Sequence, residues 1–169
     1  MKPARPVAAL IVAAALAVGG YLVLRGFDGA EVAPNVEYTL LDGSKATTDQ
    51  LRGKVVLINF WATSCAICMH EMPEIVLTHE KFKGRGYDTL AVAMSFDSPA
   101  DVMNFAATRK LPFGVAIDDT GAIAERFGNV RITPTSVLVD RHGQIVKRFV
   151  GEPDFVALHK LVDKLLAET

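Results

Sequence analysis

Two cysteines, Cys65 and Cys68, are the only ones in the chain, and two residues separate them. They lie in Phe60-Trp61-Ala62-Thr63-Ser64-Cys65-Ala66-Ile67-Cys68-Met69-His70-Glu71-Met72-Pro73. Just upstream, Lys54 to Phe60 is a short apolar run rich in β-branched residues, which reads as a buried strand. Downstream, Met72, Ile75, Val76, His79 and Phe82 recur close to helical spacing. Cys65 is therefore expected where a central strand gives way to a helix N-terminus. Unpaired N–H groups and the helix dipole favour negative charge at such a place. A thiol there loses its proton more easily than a free cysteine, and the thiolate is the reactive form. The chemistry indicated is thiol redox exchange.

Other uses of a C-x-x-C pair fit less well. A structural zinc site needs four ligands, and no second pair exists, with His70, His79, His142 and His159 scattered singly. Covalent haem requires histidine directly after the second cysteine, where Met69 stands. An inert structural disulfide remains an alternative, although a bridge this short closes almost no loop.

Composition bounds the wider picture. The chain is long enough for one domain plus an extension, and its net charge of −1 gives no basic face for nucleic acid. Val7–Leu24 is an uncharged run of 18 residues, preceded by Lys2 and Arg5 and followed by Arg25. A helical bilayer span takes roughly 20 residues, and basic residues before it keep the N-terminus cytoplasmic. The reading is an uncleaved anchor over residues 1–25, with the domain outside the cytoplasm. A signal peptide cut after Ala15-Leu16-Ala17 is the alternative. Residues 26–35, rich in Gly, Asp, Glu and Pro, read as a linker, and 36–169 as one compact domain.

Within that domain, Val36–Leu41 and Ala46–Leu51 flank the turn dipeptide Asp42-Gly43 and predict a hairpin. The active-site helix is expected to end near Gly84-Arg85-Gly86. Thr89–Met94 predicts a second buried strand. Ser98-Pro99 opens a helix to about Lys110 with a serine cap and a proline at its first position. Phe113–Ile117 predicts a short strand, Gly121–Phe127 a short helix, and Thr135–Val139 another strand. A turn through Arg141-His142-Gly143-Gln144 leads into Ile145–Val150, and an amphipathic helix covers Pro153–Leu166. The sum is an α/β domain.

Several motifs together carry a resemblance. W-A-x-x-C-x-x-C with Pro73 five residues after Cys68, and Thr133-Pro134 before a late strand, resemble the thioredoxin superfamily. Gly53 through Ala62, Glu71-Met72-Pro73 and Pro134 through Asp140 with Gly143 are similar to its membrane-anchored TlpA/ResA branch. The resemblance spans roughly Val36 to the C-terminus. It implies a thioredoxin-like α/β fold, a central mixed sheet flanked by helices, with an N-terminal β-hairpin extension and a transmembrane helix.

By position, the resemblance implies Cys65 as the exposed attacking thiol, Cys68 as the buried resolving thiol, and the pair as a redox-active disulfide. Pro134 matches a cis-proline that holds substrate backbone, with Thr133 beside it. Trp61 matches a residue at the substrate-binding site. Pro73 is expected to kink the active-site helix. The chain departs from relatives at Ile67, where many carry proline, at Ser64, where many carry an aromatic, and at Asn59, where thioredoxins typically bury an aspartate. Glu71, three residues after Cys68, is then the nearest candidate proton acceptor, its alternative being a solvated helix position.

The implied activity is reduction of disulfides in extracytoplasmic partner proteins such as apocytochrome c or a copper-delivery protein. The electron donor would be a membrane carrier of the DsbD/CcdA type. No cofactor is expected, because no Gly-rich dinucleotide fingerprint is present, and no metal, because the cysteine pair lacks further ligands at metal-site spacing. Two alternatives stand beside this. One is a Cu(I) metallochaperone using Cys65, Cys68, Met69, His70 and Met72 as soft ligands. The other is a thiol peroxidase on the same fold, against which Ala62 holds the position such enzymes usually give to threonine.

Overall fold

The computed structural model describes residues 31–168. The anchor and signal-peptide readings of Val7–Leu24 lie outside them. Among the described residues, no helix is long and apolar enough to cross a membrane.

The fold is built around β3 (Val55–Trp61), whose seven residues are all buried. A strand covered on both faces needs an apolar run rather than an alternating one, and Val-Val-Leu-Ile-Asn-Phe-Trp supplies it with one polar exception. Around it a five-stranded sheet runs in the order β5-β4-β3-β6-β7. β4 (Tyr87–Ala93) and β5 (Gly114–Ile117) continue parallel on one side, and β6 (Thr135–Val139) and β7 (Ile145–Val150) antiparallel on the other. The parallel pairs are joined through helices α1 (Ala66–Phe82) and α2 (Pro99–Arg109), as parallel pairing requires. A short α3 (Ala122–Arg126) precedes β6, and α4 (Phe155–Ala167) ends the domain.

Side chains alternate across β3. Val55, Leu57 and Trp61 face a core shared with Cys68, Met72, Ile75 and Phe82 of α1 and Leu158, Val162 and Leu165 of α4. Val56, Ile58 and Phe60 face the opposite core, with Phe127 and the hairpin residues Val36 and Tyr38. Asn59 has the parity of the first set and turns toward α1.

The N-terminal hairpin pairs β1 (Glu37–Thr39) with β2 (Lys45–Thr47), and a bridge from Leu40 to Ala116 lays it against the β5 edge. Its second arm is shorter than expected. Thr48–Leu51 turns into a 3-10 helix, because Gln50 accepts the Thr47 N–H at 2.9 Å and Thr48 Oγ donates to Pro34 O at 2.6 Å. Hydrogen bonding to the domain also begins before residue 36: Ala33 N–H donates to Gly143 O at 2.8 Å and Ile145 N–H to Glu31 O at 2.7 Å. Ser98 caps α2 as expected, whereas α4 starts two residues later than the pattern suggested because Asp154 is its cap.

Candidate active site

Cys65 is the N-cap of α1, and Cys68 lies one turn inside it. The two are joined as a disulfide. Cys65 is part exposed, while Cys68 has no exposed surface. Cys65 Sγ accepts the Cys68 N–H at 3.1 Å, so the outer sulfur already occupies the anion-favouring end of the helix. The helix continues through Pro73, which sits on its exposed side.

The buried stripe of α1 runs Cys68, Glu71, Met72, Ile75, Thr78, His79, Phe82. Its three- and four-residue steps put Glu71 on the same inner face as Cys68. Glu71 is 0 % exposed, so the solvated position weighed above does not hold. Asn59 reaches it from β3: Nδ2 donates to Glu71 Oε1 at 3.0 Å and to Ser136 Oγ at 3.0 Å. Ser136 stands directly opposite Asn59 in the β3–β6 register. Glu71 Oε2 and Asn59 Oδ1, both acceptors when Glu71 is ionised, find no partner among the described residues. A proton on Oε2 supplies the donor this pocket lacks. Burial raises the Glu71 carboxyl to about 7, the Asn59 hydrogen bond opposes that rise, and the Glu152 charge adds to it. Glu152 itself meets His70 Nδ1 at 3.4 Å.

The loop before β6 brings in the remaining expected residues. Thr135 pairs with Phe60, which sets Thr133 and Pro134 beside the end of β3 that leads to Cys65. The Thr133–Pro134 peptide is cis, and Pro134 O accepts the Gly151 N–H at 2.8 Å. Trp61 needs correction as a substrate contact. It is 0 % exposed, its ring lies 5.3 Å from that of Phe105, and it supports the site from inside the core. Its parity with Val55 and Leu57 carried that signal in the sequence. Met72 is also core, at 2 % exposure, which removes one of the soft ligands proposed for copper.

Residues that sequence reasoning missed include Ser136, which completes the Asn59 contact, and Asp97, which binds Thr63 from the loop after β4. Exposed apolar side chains were missed as well. Ile67, Phe96 and Ile132 are each more than half exposed; Ile67 lies in the first turn of α1, Phe96 in the loop after β4 and Ile132 in the loop before β6, all at the disulfide end of the sheet.

The family model for redoxin matches residues 28–163. The chain belongs to the redoxin family. Among curated proteins, this redoxin is 34 % identical over 133 residues to the thiol-disulfide oxidoreductase ResA of Bacillus thuringiensis, a match covering 79 % of this chain and 76 % of that one. Among solved structures, it is 37 % identical to a thioredoxin candidate from Neisseria meningitidis at a TM-score of 0.77, covering 83 % and 93 % of the two chains. A candidate DsbE thiol:disulfide interchange protein from Chlorobium tepidum is 29 % identical at a TM-score of 0.76, over 83 % and 99 %. The thioredoxin-like α/β fold with a mixed central sheet is thereby established.

Proposed function

We propose that this redoxin is a thiol–disulfide oxidoreductase that reduces disulfides in extracytoplasmic proteins. The observation that carries the reading is the half-exposed, half-buried disulfide at the N-terminus of α1, with the buried Glu71 carboxyl one turn further along the same helix face. In the reduced protein the Cys65 thiolate attacks one sulfur of a partner disulfide, forming the Cys65–partner bond and releasing one partner thiolate. Cys68 then gives its proton to Glu71 and attacks Cys65 Sγ. That step forms the Cys65–Cys68 disulfide and releases the second partner thiolate, so two electrons pass to the partner. A carboxyl near 7 can exchange a proton at neutral pH, and its place one turn from Cys68 supports this role. The family resemblance would lay partner backbone along Thr133 and Pro134, beside the end of β3 that leads to Cys65. Ile67, Phe96 and Ile132 offer apolar surface around that end for a protein rather than a small thiol.

Extracytoplasmic placement rests on Val7–Leu24 and its flanking charges, with the domain held at the inner membrane facing the periplasm or cell exterior. The resemblance to the TlpA/ResA branch implies partners in cytochrome c maturation or copper-site assembly, with electrons from a membrane carrier; the names of the relatives support thiol–disulfide exchange. A fusion at the C-terminus to a reporter active only outside the cytoplasm should be active and stay with membranes; activity of a cytoplasmic reporter alone would contradict the topology.

The mechanism is tested by trapping. Reduced Cys68→Ser should accumulate mixed disulfides with a protein substrate such as insulin, through Cys65, while Cys65→Ser should trap nothing and lose insulin reduction. Trapping in the Cys65 variant alone would reverse the roles.

A further inference from the structure

The turn that delivers Cys65 is held from another part of the chain. Cys65 N–H donates to Ala62 O at 3.1 Å, closing Ala62-Thr63-Ser64-Cys65 with Thr63 at the corner. Asp97, in the loop between β4 and α2, commits both carboxylate oxygens to this neighbourhood. Oδ2 accepts the Thr63 N–H at 2.6 Å, and Oδ1 accepts the Thr63 hydroxyl at 2.6 Å. Oδ1 also accepts the Ser98 N–H at 3.1 Å. The same loop is fastened again by Met94 N–H to Trp61 O at 3.0 Å and Asp97 N–H to Met94 O at 2.9 Å.

Asp97 is 8 % exposed, and no cation pairs with it among the described residues. Burying a carboxylate without a counter-ion is costly unless donors replace water. Three donors converge here, and an ionised carboxylate is acceptor-only, with two oxygens to meet them. Asparagine would bring one acceptor oxygen and two unwanted donors.

We propose that Asp97 is a positioning residue for thiol–disulfide exchange. By clamping Thr63 it holds Cys65 at the N-terminus of α1 through the dithiol, mixed-disulfide and disulfide states. The proposal rests on Cys65 being the attacking thiol. When the Cys65–Cys68 bond opens, the covalent link that fixes Cys65 from the helix side is gone. The clamp two residues upstream then remains. The helix-end contribution to thiolate stability fades within one turn, so a loosened Cys65 loses it.

The sign of the effect separates positioning from charge. As a bare negative charge, Asp97 would disfavour a nearby thiolate, and its removal would speed the reaction of Cys65. As a positioning residue it favours the thiolate, and its removal slows that reaction. The test is the rate at which iodoacetamide alkylates Cys65 in the reduced full chain, across pH, together with the redox equilibrium of the pair against glutathione. Asp97→Ala and Thr63→Val should each slow alkylation at neutral pH by about tenfold, the rate equivalent of one hydrogen bond to a charged group, with the pH profile displaced upward. Thr63→Ser keeps both donors and should behave as the native protein. Faster alkylation in Asp97→Ala, or native rates in both damaging variants, would overturn the proposal. If Asp97→Ala fails to fold by circular dichroism, Thr63→Val decides, since it keeps the charge and the backbone bond. Cys65→Ser is the control: protein-substrate reduction surviving in it would overturn the role of Cys65 itself, independently of Asp97.

Discussion

Glu71→Gln isolates the cost of ionising a carboxylate beneath the disulfide. In the oxidised protein, burial raises this carboxyl from 4.5 to about 7. Below about pH 4.5 the group is neutral in both the folded and the unfolded chain and contributes nothing to pH dependence. Between that point and about pH 7 the unfolded chain gives up its proton while the folded chain keeps it, so stability falls as pH rises. At about 1.4 kcal/mol per pH step, the loss across the interval is about 3 kcal/mol in order of magnitude. Glutamine is neutral throughout and can still donate toward Asn59 Oδ1, the acceptor left without a partner. Guanidinium unfolding of the oxidised proteins should therefore give similar stabilities near about pH 4.5, with the variant ahead by about 3 kcal/mol near about pH 8. A difference that stays constant with pH, or a native protein that gains on the variant as pH rises, would refute the reasoning.

His79 should act in the opposite direction. Burial lowers its pKa from 6.5, against the opposing charges of Asp88 and Glu80, so the neutral ring is the folded form. Native stability should fall as pH drops below about 6.5, and acid titration of His79→Phe should show a weaker loss; equal acid slopes would contradict this. At the rim, Phe96→Ser and Ile132→Ser should raise KM for insulin several-fold and leave the reaction with a small disulfide unchanged, because both side chains are exposed and outside the core. Equal effects on both substrates would remove the rim from partner binding. Asn59→Leu, which deletes the donor to Glu71 Oε1, should move the midpoint of mixed-disulfide resolution upward by about one to two pH units; an unmoved midpoint would separate Glu71 from that step.

Much of the fold was legible because it is written in local patterns. The continuous apolar run at Lys54–Phe60, the Ser98-Pro99 start and the buried strands at Thr89–Met94 and Thr135–Val139 are each decided by neighbours in sequence. The second arm of the hairpin was not, since Thr48 is drawn out of the strand by Pro34 O, fourteen positions away. The cysteine pair and the inward placement of Glu71 were likewise within reach of spacing. Asn59 was visible only as a missing acid. Its actual use, as the donor between Glu71 and Ser136, joins positions 12 and 77 apart and exists only in the assembled sheet and helix. Asp97 drew no reading from the sequence, because its bond to Thr63 spans 34 positions. Trp61 was assigned to the substrate-binding site, whereas its strand parity already pointed to the core behind it.

The central claim is that the Cys65–Cys68 pair donates electrons to partner disulfides. The reduction potential of that pair tests it most directly. Strong dithiol oxidants depend on an unusually stabilised thiolate. Here the residues between the cysteines are Ala66 and Ile67, and His70, the nearest histidine in sequence, is engaged by Glu152 at 3.4 Å. Equilibration with glutathione or dithiothreitol should place the couple between about −200 and −270 mV, the range of glutaredoxins and thioredoxin. A value near about −120 mV, the level of the oxidant DsbA, would contradict the account, because electrons would then flow from partner to this protein.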